Sequence, residues 1–102
     1  MKKIGKSFTK YGFDFNLVKR KGNVAIYRQS SPKWTHGDYR YEVVKIGRHK
    51  GHYMGGQKIE AAETYPGNSL WGIQGWTCTN LETAEETFKK ACKRFNKKLQ
   101  TA

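Results

Sequence analysis

Between residues 27 and 53, cations and rings interleave: Arg28, Lys33, Trp34, Arg40, Tyr41, Arg48, Lys50 and Tyr53 all fall in this stretch. Cationic groups neutralise phosphates, and flat rings stack on unpaired bases at roughly 1–3 kcal/mol each. Placed on a sheet face, the mixture suits a binder of single-stranded nucleic acid or structured RNA. Arg20, Arg28, Arg40, Arg48 and Lys50 are the expected phosphate contacts, with Trp34 and Tyr53 as the stacking residues. The competing reading makes the rings core and the charges their solvated neighbours. Strand geometry limits the first reading, because adjacent residues such as Arg40 and Tyr41 point to opposite faces.

A second group lies in a glycine-punctuated loop. His49 and His52 are of the residue type suited to moving protons, and Arg48 and Lys50 supply charge beside Gly47 and Gly51. Two proton shuttles and a cation could cleave RNA through its 2′-hydroxyl. No third catalytic group can be identified, so no catalytic residue is assigned and the chain reads as a non-enzyme. His49-x-x-His52 also has metal-ligand spacing, but there is no CxxC or CxxH partner. Neither a metal nor another cofactor is expected unless the fold brings Cys78 beside the histidines. Further on, Trp71 and Trp76 lie in a neutral-to-acidic, glycine-rich segment. They are candidate anchors for a protein partner, from the host or a phage, or else core plugs.

The charge favours a polyanion. Lys and Arg number 20 against 8 Asp and Glu, a net charge of +12. The excess concentrates in residues 1–58, which hold 14 basic and 3 acidic side chains. Such a surplus repels itself in a compact state and commonly reflects a partner such as DNA or RNA. No apolar run is long enough for a membrane span, and Lys6 and Lys10 interrupt any signal-like stretch at the start. The expected location is therefore the cytoplasm. Cys78 and Cys92 read as reduced core residues and not as a disulfide.

These groups need elements to position them, and 102 residues suit one domain. Residues 1–10 read as a mobile basic arm. Tyr11, Phe13, Phe15 and Leu17 alternate as on a half-buried strand, and Val24–Arg28 forms a second strand across a basic hairpin tip. Residues 39–48 carry apolar side chains on both faces, as in a central strand or one that shifts at a bulge. Residues 57–65 are ambiguous between strand and helical turn, and a last short strand is expected at 75–77. Leu81, Ala84, Phe88, Ala91, Cys92, Phe95 and Leu99 trace one helical face. Thr79-x-x-Glu82 fits a capping box, with Asn80 competing for the cap. Glu85 and Glu86 stand four residues before Lys89 and Lys90, while Lys97 and Lys98 suit the C-terminal end. The expected fold is α+β: an antiparallel sheet of four to five strands with one C-terminal amphipathic helix packed on one face.

The run YEVVKIGRHKGHYMGGQKIEAAETYPGNSLWGIQGWT, the helix after it, and the opening KKIGKSFTKYGFDFNLVKRKGNVAIYRQ resemble small uncharacterised accessory proteins of large tailed bacteriophages. The resemblance implies an accessory protein made in the bacterial cytoplasm and brings no catalytic residues. In layout alone, strands followed by a Thr-x-x-x-Ala-x-x-x-Phe helix are similar to the arm-binding modules of phage integrases. Those modules read DNA with the sheet face opposite the helix.

Overall fold

In the computed structural model, residues 2–34, 38–67 and 70–96 are described. Five strands form one antiparallel sheet: β1 (Ser7–Lys10), β2 (Phe13–Lys21), β3 (Val24–Ser30), β4 (Arg40–Lys45) and β9 (Gly75–Cys78), in the order β1-β2-β3-β4-β9. Between β4 and β9 the chain makes an excursion containing two small ladders. One pairs β5 (Gly47–His49) with β8 (Ala62–Thr64), and the other pairs β6 (His52–Met54) with β7 (Gln57–Ile59). The helix α1 (Leu81–Phe95) closes the described chain. The ambiguous 57–65 segment is thus extended, as two strands with no helical turn. Among the described residues no helix is long and apolar enough to cross a membrane.

Both faces of the sheet are buried, each for its own reason. On one face Val24, Ile26, Val43 and Cys78 meet Ala84, Phe88, Ala91 and Cys92 of α1. The helical stripe read from the sequence is the stripe that packs, although Leu81 remains 40% exposed and Leu99 lies outside the described residues. Both cysteines are free and buried there, and burial pushes the Cys92 thiol up. On the opposite face Phe15, Ala25, Tyr27, Val44 and Ile46 are covered by Ile4, Phe8, Tyr65 and Trp71. The rings of Phe8, Phe15, Tyr27 and Tyr65 lie 5.1–5.7 Å apart in stacked, tilted and edge-on pairs. Such pairing adds to what area burial alone gives.

Two local expectations are corrected, and the choice between two caps is decided. Residues 2–10 do not form a free arm: β1 pairs with β2, Tyr27 donates its hydroxyl hydrogen to the Gly5 carbonyl at 2.8 Å, and Lys2 bridges Ala62. Phe8, hidden in sequence among lysines, provides the apolar anchor. The helix cap is Asn80, whose Oδ1 accepts from the Thr83 amide at 2.8 Å. Asparagine is at least as good a cap as threonine, and capping from Asn80 starts the helix at Leu81. Glu85 pairs across to Lys19 of β2 at 2.6 Å in preference to its neighbour on the helix. Lys97 and Lys98 lie outside the described residues.

The β-bulge in β2 decides where its cations go. Register shifts between Leu17 and Lys19, leaving Val18 unpaired and 41% exposed. Before it, Phe13, Phe15 and Leu17 face the aromatic side. After it the parity reverses, sending Lys19 to the helix side over the Phe88 ring (4.9 Å) and Arg20 to the aromatic side.

The β1–β2 turn carries backbone strain. Tyr11 and Gly12 form a two-residue loop with φ of 55° and 79°. Both positive values match a type I′ turn, which favours Asn-Gly and costs a non-glycine residue about 1–2 kcal/mol. Tyr11→Asn is therefore expected to raise stability by about 1 kcal/mol. A urea midpoint equal to or below that of the wild type would contradict this.

Candidate functional site

At the Ser30 end of β3, residues 31–34 turn beside the sheet. The Trp34 amide donates to the Ser31 carbonyl at 3.1 Å, and the indole packs on Phe13 with centroids 5.4 Å apart. Two guanidinium groups lie over rings there: Arg40 is 4.9 Å from the Trp34 ring and Arg28 is 4.4 Å from the Tyr39 ring. A guanidinium stacked by its flat face keeps its edge N–H groups for phosphate oxygens. Lys33, Trp34, Asp38, Tyr39, Arg40 and Thr79 line an open cleft of about 420 Å³. Arg28 continues the helix-side row of Val24 and Ile26, whereas Arg40 precedes Glu42 and Val44 on the aromatic side. Cations therefore flank this end of the sheet on both sides.

Next to it, on the aromatic face, is a smaller cavity of about 220 Å³ lined by Lys10, Tyr11, Phe13, Gln29, Glu42, Tyr65 and Trp71, among others. Phe13 belongs to its wall and also touches Trp34, while Gln29 pairs in register with Arg40. Cleft and cavity are thus neighbours. The Lys10 ammonium lies 5.1 Å from the Tyr65 ring and 5.3 Å from the Tyr11 ring. Glu42 accepts a short hydrogen bond from the Tyr65 hydroxyl. Burial holds the Glu42 carboxyl above its usual range, opposed by the bonds from Tyr65 and Thr77 and by the Lys10 charge. Burial and the adjacent Glu42 raise the Tyr65 hydroxyl, so it stays a donor.

The structure divides the site read from the sequence. Arg28, Trp34 and Arg40 gather at the end just described. Arg48 lies at the opposite end of β3, donating to Asn23 Oδ1 at 2.9 Å. Lys50 is exposed between β5 and β6, and Tyr53 is 76% exposed on the β6–β7 hairpin. Arg20 is not a surface contact. Its two Nη groups donate to the Glu63 carboxylate at 2.8 and 2.7 Å, and its Nε donates to the Gly22 carbonyl. The bulge turns it inward.

Trp71 and Trp76 do not share a surface. Trp71 stacks on Tyr65 and donates its indole N–H to Thr77 Oγ1 at 3.0 Å, on the aromatic face. A Cβ on Gly75 would lie 2.4 Å from the Trp71 ring, so glycine is required there. Trp76 packs against Phe95 on the helix side. Each ring packs, partly buried, against the core on its own side of the sheet.

His49 and His52 are neighbours with ring centroids 6.2 Å apart, and His49 Nδ1 accepts from the Gly51 amide at 3.3 Å. Cys78 lies instead in the helix-side core. Among the described residues, no three His, Cys, Asp or Glu side chains gather as metal ligands.

Lys10, Gln29, Glu42 and Tyr65 were not singled out from the sequence. Lys10 falls in the stretch read as an arm, and Gln29 and Glu42 look like ordinary polar strand positions. Only their shared face, seen once β1–β4 are in register, brings them to Tyr65. Compared with known proteins, the chain matches no family model, no curated protein and no solved structure.

Proposed function

We propose that this protein associates with nucleic acid, without catalysis, through the end of the sheet formed by Arg28, Lys33, Trp34, Tyr39 and Arg40. The observation that carries this reading is the pair of guanidinium-on-ring stacks bordering one open cleft. Cations there meet phosphates while exposed ring area offers a stacking platform. The net charge of +12 adds long-range attraction. The phage resemblance fits an accessory role in the bacterial cytoplasm. A protein-docking role for Trp71 and Trp76 has less support, because each ring packs against the core on its own side of the sheet and donates or stacks within the fold.

Fluorescence anisotropy with labelled single-stranded and duplex DNA and RNA tests the proposal. Affinity should fall by orders of magnitude between about 50 and 200 mM salt if several phosphates are neutralised. Arg28→Glu/Arg40→Glu should flatten that salt dependence by about two phosphates. Trp34→Ala should weaken single-strand binding by about 1–3 kcal/mol. The pair Arg48→Glu/Lys50→Glu, at the other end of the molecule, should do less. Wild-type affinity in Arg28→Glu/Arg40→Glu, or affinity indifferent to salt, would defeat the proposal.

A further inference from the structure

We infer that the smaller cavity takes one unpaired, amino-bearing base from a single strand, held against the Phe13, Tyr65 and Trp71 rings with Glu42 and Gln29 reading its edge and Lys10 at the rim meeting its phosphate. The inference deepens the nucleic-acid proposal and rests on it.

Size comes first. A cavity of about 220 Å³ is below the roughly 300–1,000 Å³ of sites that enclose a drug-sized ligand. It has room for a planar heterocycle, with sugar and phosphate left outside, and none for a stacked pair of bases. Its walls are aromatic, as base stacking requires. Its polar groups converge from three strands: Lys10 from β1, Gln29 from β3 and Glu42 from β4.

Chemistry then sets the class of base. An ionised carboxylate only accepts hydrogen bonds. The Glu42 carboxylate takes hydrogens from the Tyr65 and Thr77 hydroxyls, and its remaining lone pairs suit an exocyclic amino group. Adenine, cytosine and guanine present that group, whereas uracil and thymine lack it and set their single N3–H between two carbonyl oxygens that a carboxylate repels. The Gln29 amide both donates and accepts, so it can meet the rest of each edge. The net charge and the Lys10 ammonium at the entrance argue for a ligand carrying phosphate over an organic cation.

Position links this pocket to the larger cleft. Phe13 is shared between the pocket wall and the Trp34 contact, so a strand stacked on Trp34 passes the pocket mouth. Tyr11, strained at a positive φ and 76% exposed, stands at that mouth under the Lys10 ammonium. Backbone strain of this kind concentrates where a site needs a side chain held in place.

The test compares short oligoadenylate, oligocytidylate and oligouridylate, each with an abasic counterpart, by anisotropy at fixed salt. The A and C strands should bind roughly tenfold tighter than the U strand, the discrimination of one good base contact. Glu42→Gln keeps an acceptor for Tyr65 but adds a donor, and should erase the preference while leaving the salt dependence unchanged. Should Glu42→Gln fail to fold, Lys10→Gln at the rim replaces it. That variant should weaken base-bearing strands severalfold and the abasic strand less, because without a base nothing seats its phosphate at the rim. Equal binding of all strands by the wild type, with neither variant altering it, overturns the pocket and leaves the broader proposal standing. No binding of any strand at any salt overturns both. Binding of spermidine that Glu42→Gln abolishes and no oligonucleotide displaces overturns the pocket in favour of a cation site.

Discussion

Glu63→Ala is expected to destabilise the fold by about 3–5 kcal/mol, the usual cost of stranding one partner of a buried ion pair. The Glu63 side chain is 1% exposed and accepts three hydrogen bonds: two from Arg20 and one, at 3.0 Å, from the Ile4 amide. It thereby ties β2, β8 and the N-terminal segment together. Arg20→Met/Glu63→Leu should recover most of the loss, because it removes both charges at once. Arg20 beside it, and to a lesser degree the Ile4 amide, hold the Glu63 carboxyl down at about 2, against an ordinary value of 4.5. The stabilisation is therefore complete above pH 4.5 and fades as pH falls from 4.5 towards 2. Glu42 acts in the opposite sense: its raised carboxyl makes the fold relatively more stable as pH falls. Urea unfolding of the wild type and Glu63→Gln at several pH values separates the two, since the variant should lose only the Glu63 share. A loss below about 1 kcal/mol in Glu63→Ala would show the pair to be incidental.

The second large effect is expected at Asn96, which ends α1 and is 1% exposed. Its Nδ2 donates to the Lys21 carbonyl at 2.7 Å, and its Oδ1 accepts from the Asn23 amide at 3.0 Å. Both partners belong to the β2–β3 hairpin end, so one side chain pins the helix terminus to the sheet. Asn96→Leu keeps the branched outline but leaves a backbone donor and a backbone acceptor without a partner, at a cost on the order of 2–4 kcal/mol. Asn96→Asp retains the acceptor, loses the donor and sets a carboxylate against the Lys21 carbonyl. Both variants should unfold at markedly lower urea concentration than the wild type. If Asn96→Leu unfolds with the wild-type midpoint, the clamp contributes nothing.

Neither residue announces itself in the sequence. Asn96 bonds to backbone atoms far away in the chain, and backbone atoms leave no signature in residue type. Arg20 reads as one more cation in a basic run because the parity reversal at Val18 is invisible until β2 is paired with β3. What could be read was the periodic part: the stripe Ala84, Phe88, Ala91 and Cys92, the two-faced strand around Val43 and Val44, and the hairpin closing at Gly22-Asn23. The site was half legible. Arg28, Trp34 and Arg40, named from their types, lie at one end of the sheet on its two faces, but type alone could not separate them from Arg48 and Tyr53 at another part of the molecule. The cavity was not legible, since Lys10, Gln29, Glu42 and Tyr65 converge only through register.

Each border of the main sheet is a strand only four residues long, β1 on one side and β9 on the other. Lys6 and Lys10 bracket the first, and the second is met by the Trp71–Gly75 bridge. Short, charged or occupied borders give an incoming β-segment little ladder to extend. The main sheet is thereby a poor template for lateral pairing with another chain.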